Sequence, residues 1–203
     1  MIAPPNNNHD CILLCLGDSI TYGFPYGSAY SWVAALQGKI PAKPLNRGIN
    51  GDTTEDMLRR LRHELSKGPV THAHILGGTN DAWLETEPSE SRQWVEQMVL
   101  LCLERNIKPI LGITTPICAE PAGQNSFIPF GLEAINGWLA RHRKWLAEYA
   151  AAQTIPLIDY FTPLCVSGTP NGDPRFFLDE AHLNHEGNRI MAVTAEKALL
   201  RLL

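Results

Sequence analysis

The sequence predicts an α/β protein in three layers, a parallel sheet with helices on both faces. Two observations carry this. Short, continuous apolar runs alternate with longer amphipathic stretches along the chain, and continuous rather than alternating runs suit strands buried on both sides. Residues suited to chemistry recur just after those runs, at the carboxyl edge where parallel sheets place their ligands.

The elements follow in order. Residues 11–17 form an apolar run ending in glycine and open the sheet. Residues 28–39 read as a helix, with Trp32, Ala35 and Leu36 on one side. Residues 44–49 are a short strand candidate. Residues 53–65 read as a helix with Met57, Leu58, Leu61 and Leu65 on one face and arginines opposite. Residues 72–77 are a clear strand. Residues 88–105 read as a helix opened by Pro88 and acidic side chains, a common helix start. Strand 108–113, a long helix 132–152, strand 155–160 and a closing helix 186–202 complete the pattern. No internal repeat, low-complexity stretch or linker interrupts it, so all 203 residues read as one domain.

Composition narrows the function classes. The apolar fraction of 44% and charged fraction of 19% are ordinary for a globular chain. The formal net charge is -4 and no basic patch stands out, which argues against a nucleic-acid partner. No polybasic amphipathic helix and no membrane-length apolar run is present. The first ten residues lack the basic region and apolar core of an export signal. That predicts a cytoplasmic protein, although an exported chain already trimmed would read the same way. Cys11, Cys15, Cys102, Cys118 and Cys165 show no CxxC spacing and read as reduced thiols in apolar surroundings.

Four stretches carry candidate chemistry. Gly17-Asp18-Ser19-Ile20 follows the first strand and sets a serine at the mouth of a helix, whose free N–H groups suit an oxyanion. Alone it reads equally as a capping serine. Asn50-Gly51-Asp52-Thr53 follows the second strand; Gly51 would present an N–H where a side chain would block a substrate, or simply make a turn. Gly77-Gly78-Thr79-Asn80 follows the third; the Asn80 amide is a neutral donor suited to an oxyanion hole. Near the end, Asp179 and His182 stand three positions apart, a spacing that meets on one helical turn. A carboxylate on one imidazole nitrogen fixes the tautomer and turns the other nitrogen to a nucleophile.

Serine, glycine, asparagine and histidine, in these four blocks and this order, resemble the GDSL esterase family, also called the SGNH hydrolases. The resemblance runs from residue 17 to 182 and is strongest to single-domain bacterial thioesterase/lysophospholipase-like and acetylhydrolase-like members. It implies the SGNH hydrolase fold, a flavodoxin-like five-stranded parallel sheet. It implies a Ser19–His182–Asp179 triad and an oxyanion hole from Ser19, Gly51 and Asn80. There are two departures: Ile20 conservatively replaces the usual leucine, and Leu183 stands where a turn-shaping proline, remote from the chemistry, often follows the histidine.

The expected activity is cleavage of carboxylic or thio esters of small acyl substrates through an acyl-enzyme. Carbohydrate acetylesterase and lysophospholipase or thioesterase roles are alternatives within the family. Outside it stand a metal-dependent phosphoesterase, which lacks the early cluster of ligands it would need, and a binding module on the same sheet. No metal and no cofactor are expected, and the expected partner is a small-molecule ester. Trp83, just beyond Asn80, and Phe127 and Phe130, in the long loop 116–131, are candidate pocket walls; the loop 162–174 is a second such loop at the active edge. His185 is set aside in favour of His182. His72 and His74 read as packing residues, His63 and His142 as members of charged helical faces, and Asp18 and Asp81 as turn-forming acids.

Overall fold

The computed structural model describes residues 11–120 and 131–203. Five strands form one parallel sheet: β1 (Ile12–Gly17), β2 (Lys43–Gly48), β3 (His72–Leu76), β4 (Lys108–Ile113) and β5 (Leu157–Asp159), in the order β2-β1-β3-β4-β5. Successive side chains of a strand point to opposite faces, and β1 shows what each face meets. Leu13 and Cys15 pack into a cluster with Trp32, Leu36 and the buried side of α6 (His185–Leu202), namely Met191, Ala195 and Leu199. Leu14 and Leu16 pack into the opposite cluster with Met57 and Leu61 of α2 (Thr54–Ser66), Val95 and Met98 of α4 (Pro88–Leu103) and Leu146 of α5 (Leu132–Gln153). The continuous apolar strands thus answer to helices on both sides.

Two short helices sit directly after strands: α1 (Ser19–Tyr22) after β1 and α3 (Thr79–Trp83) after β3. β1 and β3 are neighbours, while the chain runs outward to β2 on one side and to β4 and β5 on the other. The crevice between their carboxyl ends is the point where strand order reverses, the usual ligand position in such sheets.

Local chemistry sets the helix ends. Thr53 caps α2 in a capping box: its hydroxyl accepts from Asp56 N–H, and the Asp56 carboxylate accepts from Thr53 N–H. Asn184 caps α6 by accepting from Gly187 N–H at 3.0 Å.

The fold departs from the sequence expectations at several places. Residues 28–39 do not form one helix but two single turns, Ser28–Tyr30 and Ala34–Leu36, separated by Ser31 in extended backbone. Their apolar spacing reported burial, since Trp32, Val33 and Leu36 are all in the core; the backbone instead ties to α6, where Asn188 accepts from Trp32 N–H at 3.1 Å. The last strand is shorter than 155–160, with only Leu157–Asp159 paired to β4. His142 is not on a charged face but fully buried, its ring stacked on Trp138 at a centroid distance of 5.0 Å. No helix among the described residues is long and apolar enough to cross a membrane.

Candidate active site

Ser19 is the first residue of α1, held by a turn that the sequence specifies closely. Asp18 caps it, its Oδ1 accepting from Ile20 N–H at 2.9 Å. Gly17 and Gly48 leave no room for a side chain: a Cβ at Gly17 would meet the Leu76 carbonyl oxygen at 2.8 Å, and one at Gly48 would meet Tyr22 N at 2.1 Å. The nucleophile candidate therefore sits where β1, β2 and β3 crowd together. Asp18 is buried beneath it, and that burial lifts its carboxyl to about 7.

His182 reaches Ser19 from the far end of the chain, Nε2 lying 3.0 Å from the Ser19 Oγ. Its other nitrogen, Nδ1, lies 2.7 Å from Asp179 Oδ2. Asp179 and His182 meet by a route different from the helical turn expected of their spacing. They lie ahead of α6 in a tight loop closed by the Phe177–Leu183 bridge and by Leu178 N–H donating to the His182 carbonyl at 2.8 Å. Within it Asp179 Oδ1 accepts from Ala181 N–H at 2.9 Å and from His182 N–H at 2.6 Å. Burial pushes the Asp179 carboxyl up, but the bonds from the His182 ring and these two N–H groups outweigh it and hold it below its usual range. An ionised Asp179 only accepts, so Nδ1 carries the proton and Nε2 presents a lone pair to Ser19. His185 is placed elsewhere, stacked on Tyr26 with ring centroids 3.8 Å apart.

Asn80 lies in α3 and lines the same cavity. Its Nδ2 donates one hydrogen to the Asp52 carbonyl at 2.9 Å, which fixes the amide and leaves the second hydrogen to point elsewhere. Gly51 precedes Asp52 in the turn after β2, exposed and with φ of +83°, a conformation that glycine adopts without cost. A Cβ added there would meet nothing, so the backbone conformation rather than crowding explains the glycine. Asp81, next to Asn80, is not confined to its own turn as expected but reaches back to the start of α2, accepting from Thr54 N–H at 3.0 Å.

The cavity has a volume of about 180 Å³ and is walled by Ser19, Ile20, Asn80, Trp83, Asp179 and His182, among others. Trp83, a candidate pocket wall, lies in the lining of this cavity. Phe127 and Phe130 lie outside the described residues. A larger cavity of about 630 Å³ is lined by Ala82 of the same short helix and by Glu85, Glu87 and Glu133; none of the reactive side chains lines it.

Two features escaped sequence reading. Phe24, just past the Gly23 that ends α1, packs its ring 4.6 Å from the His182 ring. Arg60, one of the arginines expected opposite the apolar face of α2, turns inward, donating from Nε to Asp52 Oδ2 at 2.6 Å and from Nη2 to the Gly17 carbonyl at 2.8 Å. The sequence signal for it is an acid, Asp52, eight positions earlier, whose burial only the fold reveals.

A parallel sheet of this order carries Ser19 just after β1 and the His182 loop just before the last helix. The chain belongs to the GDSL-like lipase/acylhydrolase family, whose model matches residues 15–190. Thioesterase 1/protease 1/lysophospholipase L1 of Escherichia coli (strain K12) is 30% identical over 101 residues, 49% of each chain. The chain spans about half the length of the curated relatives it matches. Among solved structures, one from Desulfitobacterium hafniense DCB-2 assigned to the lipolytic G-D-S-L family superposes with a TM-score of 0.80 at 22% identity, over 94% of this chain and 100% of that one. The aryl esterase of M. smegmatis gives 0.73 at 20%, over 95% and 100%. At these identities the two likenesses speak to fold alone.

Proposed function

We propose that the chain is a serine esterase that cleaves carboxylic or thio esters of small acyl groups through an acyl-enzyme, with Ser19 as nucleophile, His182 as general base and Asp179 as its orienting acid. The observation that carries this reading is the unbroken relay from the Ser19 hydroxyl through both nitrogens of His182 to Asp179, at 3.0 and 2.7 Å. His182 Nε2 takes the serine proton as Oγ attacks the ester carbonyl. The ionised Asp179 stabilises the imidazolium that forms. His182 then protonates the leaving alcohol or thiol, and water repeats the cycle on the acyl-enzyme. The oxyanion is received by the backbone N–H groups of Ser19 and Gly51 and by the free hydrogen of the Asn80 amide.

The cavity of about 180 Å³ favours a short acyl group, being smaller than the roughly 300–1,000 Å³ of ordinary small-molecule pockets. This leans toward acetyl-like esters over the long chains of a lysophospholipid. A series of p-nitrophenyl esters of rising acyl length tests it, together with a fluorophosphonate probe of the serine. The expected result is preference for the shortest esters, labelling at Ser19, and loss of both turnover and labelling in Ser19→Ala. Full turnover by Ser19→Ala would remove the mechanism, and a preference for long acyl chains would remove the substrate class alone.

A further inference from the structure

The hydrogen bonds of Arg60 cross between two parts of the site that the chain builds separately. The serine turn hangs from the end of β1, and Asn80 hangs from the end of β3. The turn of residues 49–52 lies at the end of β2, and it touches both. Its Asp52 carbonyl accepts from Asn80 Nδ2 at 2.9 Å, and its Ile49 N–H donates to the Gly17 carbonyl at 3.0 Å. The turn closes weakly on itself, Asp52 N–H reaching the Ile49 carbonyl at 3.3 Å.

Arg60 comes in from α2 and grips both ends of this arrangement. Nε and Nη2 donate to Asp52 Oδ2 at 2.6 Å and to the Gly17 carbonyl at 2.8 Å. A planar guanidinium sets the angle between two acceptors as well as their distance, which an ammonium cannot do. The side chain is only 15% exposed and its partner Asp52 12%, so neither bond is a mobile surface pair. Gly17 stands two residues before Ser19, and Asp52 stands one after Gly51. Every donor assigned to the oxyanion hole is therefore within two residues of an Arg60 acceptor or bonded directly to the residue that supplies it.

We infer that Arg60 is a positioning residue for the oxyanion hole, fastening the serine turn to the turn that aims Asn80 so that the donors converge on one oxygen. This rests on the reading of Asn80 as an oxyanion donor. Arg60 touches no substrate. It acts by holding the Asp52 carbonyl, and through it the Asn80 amide, at a fixed offset from Ser19. Small errors in such an offset are costly, since a displacement of about 1 Å in a catalytic group can lower turnover by about a hundredfold.

The test is a double-mutant cycle read in kcat and KM on p-nitrophenyl acetate. Arg60→Lys keeps the charge but cannot serve both acceptors from one rigid edge. It is expected to lower kcat about tenfold and leave KM within about twofold, because the donors it aligns matter most in the transition state. In an Asn80→Ala background the same change is expected to cost less than about threefold, since the donor it aims is gone. An equal loss in both backgrounds overturns the proposal, as does a lowered melting temperature with unchanged kcat. If Arg60→Lys does not fold, Asp52→Ala runs the same cycle, cutting the tether while keeping the backbone carbonyl. An Asn80→Ala enzyme with undiminished kcat would remove the oxyanion reading and this inference with it, whereas equal losses on top of an impaired Asn80→Ala remove only the role of Arg60.

Discussion

The Phe24 ring rests against the His182 imidazole, centroids 4.6 Å apart and planes tilted by 52°. His182 needs one ring orientation to hold Ser19 and Asp179 at once, and Phe24 closes a side toward which it would otherwise swing. Aromatic pairs of this kind are worth about 0.5–1.5 kcal/mol. Phe24→Ala should therefore lower kcat by about threefold to tenfold, with little change in melting temperature because Phe24 is 38% exposed. Steady-state kinetics on p-nitrophenyl acetate checks this, and an unaltered kcat would show that the contact is incidental.

Trp83 walls the cavity beside Asn80. Trp83→Ala removes the largest side chain of that wall and leaves the relay of Ser19, His182 and Asp179 untouched. The expected outcome is a shift in kcat/KM toward longer acyl esters by two to four carbons, roughly tenfold to two-hundredfold from about 0.8 kcal/mol per newly buried methylene. Comparing acetate with hexanoate esters measures it directly.

Gly78 stands two residues before Asn80 with φ of +116°, and a Cβ there would lie 2.7 Å from His142 Nε2 and 2.9 Å from its Cδ2. The His142 ring has nowhere to retreat, with Trp138 at 5.0 Å and Trp145 at 5.8 Å between ring centroids. Gly78→Ala should cost roughly 2–4 kcal/mol from backbone strain and overpacking together. It should also lower kcat, because the start of α3 must move. Urea unfolding and kinetics on one preparation report both effects.

Burial lowers His74 and His142 to about 3 each. In the unfolded chain both titrate near 6.5, so between pH 6.5 and about 3 the unfolded state binds more protons. Their contribution is intact above pH 6.5 and is lost as pH falls through that window, by at most about 1.4 kcal/mol per pH unit for each ring. His142→Phe should flatten the melting temperature between pH 7 and 4 relative to wild type. A parallel slope in the variant would mean that His142 does not titrate this way.

Asp18 works in the opposite direction. Burial raises it from 3.8 to about 7, so between those values the folded state binds more protons and stability falls as pH rises. The penalty is complete above about pH 7. Asp18→Asn keeps an oxygen for Ile20 N–H and removes the charge. Its melting temperature should gain on wild type from pH 4 to pH 8, and a gain that does not grow with pH would refute the assignment.

Much of the sheet was legible because β1, β3 and β4 are buried on both faces, which leaves a continuous apolar run in the sequence. The stretch 28–39 misled for a related reason. Apolar spacing reports which side chains enter the core, and Trp32 and Leu36 do so without a helical backbone. The pairing of Asp179 with His182 was legible as a spacing but not as a geometry, because the same interval that suits a helical turn also suits a carboxylate accepting from N–H groups two and three residues on. Arg60 and His142 were illegible in a stricter sense. Each sits among charged neighbours on its helix, and only the packed sheet decides that they point inward.

The loop that carries Asp179 and His182 makes its internal contacts within a few residues, whereas the one bond from it to Ser19 spans 163 positions. Acid and base therefore behave as a single preassembled cartridge seated against the rest of the protein. Because Phe177 and Leu183, which close the loop, lie in the same buried cluster as Leu13 and Cys15 of β1, displacing the loop would withdraw both groups together rather than blunt the imidazole by degrees.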